Sequence, residues 1–130
     1  MQVLKYYLEL EGYEVLTAPN GREGLALAMR ERPDVMVSDV DMPELNGIEM
    51  VRALRQDPAT AHIPVMLLSA QTTVESETAG LQVGADDYVP KPVEPRRLAA
   101  RVKALLARRQ DRGSSAAAPA LVSAAGEDPS

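Results

Sequence analysis

Apolar residues recur at two spacings along the first 110 positions, and each change of spacing predicts a new element. Helical spacing from Val3 to Leu10, before Gly12, predicts that the chain begins inside or near a helix. Short runs rich in Val, Leu and Met predict strands. Further helices are predicted around 25–29 and over 47–56, 74–83 and 95–109, with strands over 13–18, 35–40, 65–68 and 88–89.

This order alternates strictly between helix and strand. Strict alternation predicts a parallel sheet with helices on both faces and right-handed crossovers. The run Val65-Met66-Leu67-Leu68 is continuously apolar, which is typical of a strand buried on both faces. The predicted fold class is therefore α/β, with a doubly wound parallel sheet.

The composition changes from Gly113 onward. The stretch GSSAAAPALVSAAGEDPS consists mostly of small and polar residues, with few bulky apolar ones. Such segments bury too little apolar surface to offset the entropy of ordering. We therefore expect one domain over residues 1–110 and a disordered, low-complexity tail over residues 111–130.

Composition excludes several classes of function. The 130 residues carry a formal net charge of −5, which argues against direct binding to nucleic acid. The absence of Cys excludes disulfides and thiolate metal sites, and a single His, His62, argues against His-rich metal sites and Ser-His-Asp triads. We find no membrane span or signal peptide in the sequence, so we expect a soluble cytoplasmic protein.

Three chemically useful side chains follow three successive predicted strands. They are Asp39, Ser69 and Lys91. In an open parallel sheet, functional residues gather at the carboxyl ends of the strands. A carboxylate can attack phosphorus to form an acyl phosphate, while a hydroxyl and an ammonium hold phosphoryl oxygens. Their convergence predicts a site for phosphoryl transfer.

Each of these residues taken alone also has an ordinary structural interpretation. Asp39 could cap a loop or helix, Ser69 could be a turn residue, and Lys91 could be a solvated charge. Asp41 is better explained as an Asx-turn residue before Met42-Pro43 than as a direct catalytic group. The joint placement at three strand ends favours the functional interpretation.

Together these motifs make the chain resemble the receiver domain of two-component response regulators over about residues 1–109. The spacings between the three site positions also agree with the family pattern. The matching stretches are Ser38-Asp39 with Met42-Pro43 and Asn46-Gly47, then Leu68-Ser69-Ala70, Gly84-Ala85-Asp86-Asp87-Tyr88 and Lys91-Pro92.

The resemblance implies a flavodoxin-like fold with strand order 2-1-3-4-5. It implies that Asp39 accepts a phosphoryl group from a histidine kinase or phosphotransfer protein. By the same resemblance, Ser69 is the switch hydroxyl, Lys91 binds the phosphoryl group, and Tyr88 is the switch aromatic. The Lys91-Pro92 bond is expected to be cis.

The chain departs from the receiver pattern at its start. Receivers begin with a central strand that ends in an acidic pair holding Mg²⁺, and this sequence starts in the first helix. By resemblance, the remaining Mg²⁺ ligands are the Asp39 carboxylate and the Asp41 backbone carbonyl, which is an incomplete set. An empty central slot would invite aggregation or strand donation. We favour a start that lies upstream over a degenerate receiver.

The resemblance also suggests a surface for signal output. It comprises the helix from Val74 to Val83, the strand at Tyr88-Val89 and the helix from Pro95 to Arg109. This face is a candidate for partner or homodimer contact, although a solvated basic helix face explains it equally well. The basic residues near its rim are Arg96, Arg97, Arg101 and Lys103.

Two other functions compete with the phosphoacceptor. Phosphatases of the haloacid dehalogenase type also use Asp-x-Asp after an apolar strand, but here the acidic pair Asp86-Asp87 precedes Lys91 and the order fails. That pair also lies about 13 Å from the lysine along the strand, so we reject it as a metal site. The other alternative is an interaction module that works without phosphorylation.

Overall fold

The computed structural model of the chain describes residues 2–41, 45–71, 73–110 and 119–123. Within these ranges, five helices and five strands alternate along the chain. The helices are α1 (Gln2–Leu10), α2 (Gly21–Glu31), α3 (Gly47–Gln56), α4 (Val74–Gln82) and α5 (Pro95–Gln110). The strands are β1 (Glu14–Ala18), β2 (Val35–Asp39), β3 (Val65–Ser69), β4 (Asp87–Pro90) and β5 (Pro119–Ser123).

Short polar side chains begin three of the helices. Asn20 accepts a hydrogen bond from the Glu23 amide at the start of α2. Asn46 and Glu49 form a reciprocal capping box at the start of α3, and Thr73 caps α4. These bonds satisfy amides that have no partner inside the helix, which is why each helix starts where it does.

The sheet is parallel throughout its described strands, in the order β1-β5-β2-β3-β4. All residues of β2 and β3 are buried. The parallel sheet with helices on both faces confirms the predicted α/β class. The burial of β3 also explains why its sequence, VMLL, is continuously apolar, since neither face of the strand meets water.

The tail prediction is wrong for residues 119–123. They form β5, which lies between β1 and β2 and pairs in parallel with both. The chain's own tail therefore occupies the central position that the family order 2-1-3-4-5 assigns to the first strand. The rest of the predicted tail lies outside the described residues.

Two apolar clusters cover the two faces of the sheet. On one face, α1 and α5 pack against alternate residues of β2 and β3, with Leu8 and Leu98 among the fully buried side chains. On the other face, α2 and α3 pack against the intervening residues. That second cluster also contains Tyr88, so the aromatic residue predicted as a switch belongs to the core.

Candidate functional site

Asp39 and Lys91 meet at the carboxyl edge of the sheet. Asp39 is the last residue of β2, and Lys91 directly follows β4. The Lys91 Nζ atom lies 3.0 Å from Asp39 Oδ1, and the two side chains are 39% and 8% exposed. The sequence prediction that these two residues converge is confirmed by this ion pair.

The paired oxygen of Asp39 is in direct contact with the Lys91 ammonium. Asp39 Oδ1 is buried, and among the described residues no hydrogen bond reaches it besides this charge-assisted contact at 3.0 Å. A buried carboxylate oxygen next to a cation is suited to attack an electrophile. The same cation then balances the charge that the product carries.

The backbone around Asp39 is fixed from three sides. Ser38 Oγ donates to the Asp39 carbonyl at 2.9 Å. The Val40 amide donates to the Leu68 carbonyl of β3, and the Gly47 amide donates to the Val40 carbonyl, both at 2.8 Å. A Cβ atom at position 47 would overlap the Asp39 carbonyl, so the Asn46-Gly47 motif places α3 directly behind the acidic residue.

Ser69 ends β3 between these two partners. Its residue is 1% exposed, and its carbonyl accepts the Lys91 amide at 2.8 Å. This backbone bond brings the lysine to the edge where β2 and β3 end. The Ser69 hydroxyl oxygen accepts a hydrogen bond from the Gln71 amide at 2.9 Å.

Tyr88 is joined to the same short loop. The ring is buried in the core, and its hydroxyl donates to the Gln71 carbonyl at 3.3 Å. Gln71 thus holds the predicted switch hydroxyl of Ser69 with its amide and the predicted switch aromatic with its carbonyl. The sequence did not point to Gln71, because it contributes through its backbone amide and carbonyl, which every non-proline residue has.

Gly80 of α4 makes room for the Tyr88 ring. A Cβ atom at position 80 would lie 2.8 Å from Tyr88 Cδ2, which is closer than real side chains approach. A glycine inside a helix is unfavourable, and this contact supplies the reason for it. Sequence reasoning missed this role, although a glycine in a helical run was a usable signal.

The described residues do not complete a magnesium site. None of them form a group of three or more acidic or histidine side chains able to hold a metal ion. Asp41 is exposed, and Met42 and Pro43, which carry part of the family motif, lie outside the described residues. Mg²⁺ prefers several oxygen ligands, and the described residues supply too few of them.

Asp86 and Asp87 make structural contacts. Asp86 Oδ2 accepts the Val65 amide at 2.9 Å and lies 3.4 Å from Arg55 Nη2. Asp87 Oδ2 pairs with Arg101 Nη1 at 2.8 Å. These bonds engage both carboxylates within the fold.

Arg55 binds backbone carbonyls across the start of two strands. Its guanidinium donates to Gly84 at 2.8 and 3.1 Å, to Ala61 at 3.1 Å and to Ile63 at 2.7 Å. Burial lowers the pKa of Arg55, and the Asp86 carboxylate acts in the opposite direction. Sequence reasoning missed this residue, because its partners lie in other segments.

The basic rim predicted on α5 is largely engaged within the chain. Arg101 pairs with Asp87, and Lys103 Nζ lies 3.3 Å from Glu11 Oε1, in the turn that follows α1. Arg96 lies over the ring of Tyr7, 5.8 Å from its centroid. These contacts favour a structural role for the rim, and its proposed role in partner contact stays a prediction.

The topology and the sheet-edge residues define a flavodoxin-like α/β domain. The family model "Response regulator receiver domain" matches residues 1–103. The chain belongs to the response regulator receiver domain family.

Relatives agree with this assignment. The chain is 45% identical over 106 residues to the Bacillus subtilis alkaline phosphatase synthesis transcriptional regulatory protein PhoP, covering 82% of this chain and 43% of PhoP. It is 40% identical over 107 residues to the Pseudomonas aeruginosa phosphate regulon transcriptional regulatory protein PhoB, covering 82% and 47% of the two chains. The chain therefore spans about half the length of these curated relatives.

A solved structure gives the same fold. The signal receiver domain of a signal transduction histidine kinase from Syntrophus aciditrophicus superposes with a TM-score of 0.78 and 37% identity, covering 88% of this chain and 86% of that one. In the part of our chain that the structure describes, no helix is both long and apolar enough to span a membrane.

Proposed function

We propose that this chain is a phosphoacceptor that takes a phosphoryl group onto Asp39 from the phosphohistidine of a partner kinase or phosphotransfer protein. The observation that carries the proposal is the buried Asp39 carboxylate with the Lys91 ammonium 3.0 Å from Oδ1. A carboxylate oxygen attacks phosphorus, a new P–O bond forms, and the P–N bond of the phosphohistidine breaks. The imidazole leaves with the bonding electron pair and takes up a proton.

Lys91 has two roles in this proposal. Before transfer it balances the Asp39 carboxylate, and after transfer it balances a group that carries roughly −1.5 to −2 charges. The phosphoryl transition state needs positioning and charge stabilisation more than covalent help, so a fixed ammonium is effective there. Receiver domains generally bind Mg²⁺, and in this chain the Asp39 carboxylate is the described side chain at the position where such an ion would be held.

The output of the switch starts at Gln71. On phosphorylation, the Ser69 hydroxyl turns to donate its hydrogen to a phosphoryl oxygen, and its oxygen no longer accepts the hydrogen bond from the Gln71 amide. The loss of this bond disturbs the loop that also holds the Tyr88 hydroxyl. The changed population of Tyr88 positions then alters the face formed by α4, β4 and α5. We propose this face as the contact surface for a downstream partner or a second copy of the chain.

The test is phosphorylation of the full chain by acetyl phosphate with Mg²⁺, followed by intact mass measurement. We expect a mass gain of one phosphoryl group in the unmodified chain and none in Asp39→Asn. Asp41→Asn is the matched control, since it removes a neighbouring, exposed carboxylate and should leave the gain in place. An equal gain in Asp39→Asn would contradict the proposal. No gain in any variant would favour an interaction module that works without phosphorylation.

A further inference from the structure

The first residue of α2 lies against the loop that follows Asp39. Gly21 begins this helix directly after its cap, Asn20, and is buried. A Cβ atom at position 21 would overlap the Leu45 carbonyl oxygen and would lie 2.7 Å from the carbonyl carbon, which is closer than real Cβ atoms approach. Two backbone segments therefore meet here at a distance that glycine alone allows.

Backbone conformation does not explain the glycine at position 21. Among the described residues, the glycines with positive φ are Gly12 and Gly84, whereas Gly21 is part of a helix. Alanine favours a helix more than glycine does, so helix propensity would favour alanine at this position. The close approach of Leu45 is the feature of the structure that requires glycine.

The start of α3 joins Leu45 to the acceptor residue. Asn46 caps this helix, and the amide of the next residue, Gly47, donates to the Val40 carbonyl at 2.8 Å. A Cβ atom at position 47 would overlap the Asp39 carbonyl. This segment thus contacts α2 at its first residue, Leu45, and the end of β2 at its last, Gly47.

The position of this backbone matters for the chemistry at Asp39. Its buried Oδ1 atom lies 3.0 Å from Lys91 Nζ. An attacking oxygen must lie in line with the bond that breaks, and misplacement by about 1 Å can slow a reaction by about a hundredfold. Movement of the Asp39 backbone would change both the contact with Lys91 and the line of attack.

We propose that Gly21 is a positioning residue for the phosphorylation of Asp39. Because Gly21 has no side chain, α2 approaches Leu45 closely, and Leu45 with Gly47 then fixes the backbone of the acceptor. Gly21 acts through these neighbours and not on the reacting atoms. This role rests on the proposed function, because it governs the rate at which Asp39 takes up a phosphoryl group.

Gly21→Ala tests this role, with Gly12→Ala as the matched control. Gly12 lies in the turn before β1, and therefore at the sheet edge opposite to Asp39. Its φ of 95° makes an alanine there strained, while an added Cβ atom would meet no other atom within 4 Å. The control therefore weakens the fold without touching the acceptor loop.

Both variants are treated with acetyl phosphate and Mg²⁺, and the initial rate of mass gain is divided by the folded fraction. We expect this rate to fall at least about fivefold in Gly21→Ala and to stay within about twofold of the unmodified chain in Gly12→Ala. Equal rates in the two variants would overturn the positioning role and leave the proposed function in place. No gain in any chain would overturn both.

Hydrogen exchange of the unphosphorylated chain tests the contact without relying on phosphoryl transfer. In Gly21→Ala we expect exchange of the Gly47 amide to accelerate at least about fivefold more than exchange of the β3 amides, because the opening is local. In Gly12→Ala we expect the same factor at Gly47 and in β3. Faster exchange at the Glu23 amide alone would show that the start of α2 moves instead of the loop, and would overturn the proposal.

Asn20→Ala provides a second test if Gly21→Ala does not fold. It removes the side chain that accepts the Glu23 amide, and so loosens the start of α2 without adding an atom at position 21. We expect phosphorylation to slow at least about twofold and the Gly47 amide to exchange faster than the β3 amides. A Gly47 amide that exchanges as in the unmodified chain would overturn the proposal.

Discussion

At the scale of single residues, the ion pair of Asp39 and Lys91 explains how a nearly buried carboxylate is tolerated. A carboxylate that is 8% exposed is costly unless an opposite charge lies near it. Lys91 meets this need from the end of a different strand, with its own side chain 39% exposed to solvent. The lysine can therefore follow the charge when a phosphoryl group is added, without losing its hydration.

Replacing the lysine should reveal this coupling. We expect Lys91→Met to lower the free energy of unfolding by about 1 kcal/mol, because a buried carboxylate loses its partner while solvent screens part of the loss. In a chain that already carries Asp39→Asn, Lys91→Met should leave the free energy of unfolding nearly unchanged. Urea denaturation of the four chains measures the coupling, and an equal loss in both backgrounds would refute it.

At the scale of elements, α4 is adapted to the aromatic ring beneath it. Gly80 weakens the helix by about 1 kcal/mol relative to Ala, and in return its backbone approaches the Tyr88 ring. The ring therefore contacts both the Gln71 loop and α4. We propose that a change at Ser69 reaches the surface of the helix through these contacts.

A methyl group at position 80 should disturb that arrangement. We expect Gly80→Ala to displace the Tyr88 ring, raise its reactivity toward nitration and lower the free energy of unfolding by about 1 kcal/mol, since overpacking outweighs the gain in helix propensity. Mass spectrometry of the tyrosine-containing peptides measures the reactivity. Thr78→Ala, at an exposed position of α4, is the control, and equal nitration of Tyr88 in both variants would argue against the contact.

The elements differ in how far sequence could predict them. Helices with capping residues and strands with continuous apolar runs follow local rules, and β2 and β3 are close to their predicted bounds. The strand β5 could not be predicted, because PALVS has a weak local preference and gains its conformation from pairing with β1 and β2.

At the scale of the whole molecule, Arg55 ties the end of α3 to the segments that begin β3 and β4. One guanidinium reaches the carbonyls of Ala61, Ile63 and Gly84, while Asp86 binds the Val65 amide beside it. These contacts hold the amino edge of the sheet, opposite to Asp39. They fix the strands whose other ends form the candidate site.

A charge-conserving change tests this view of Arg55. We expect Arg55→Lys to lower the free energy of unfolding by about 2 kcal/mol, because an ammonium cannot reproduce the planar fork of donors to three carbonyls. Arg52→Lys, on the exposed side of the same helix, should change it by less than about 0.5 kcal/mol. Thermal or urea unfolding measures both, and equal effects would show that the fork is unimportant.

In the candidate site, the sequence predicts the placement of side chains but not the backbone hydrogen bonds between them. The convergence of Asp39 and Lys91 follows from strand order, since both end strands at one edge of a parallel sheet. The bonds of Gln71 to Ser69 and Tyr88 could not be foreseen, because they use backbone atoms. The pattern of side chains thus predicts which residues lie at the same sheet edge. It does not predict the backbone hydrogen bonds of the loop that joins Ser69 to Tyr88.

The most direct test of the central claim is to locate the phosphoryl group on the chain after treatment with acetyl phosphate and Mg²⁺. Borohydride reduction of an aspartyl phosphate marks the modified residue, and peptide mass spectrometry then identifies it. Our account predicts a single mark at Asp39 and release of the group from unreduced protein by hydroxylamine, as expected for an acyl phosphate. A mark at Asp41, or a hydroxylamine-stable phosphate on Ser69, would contradict it.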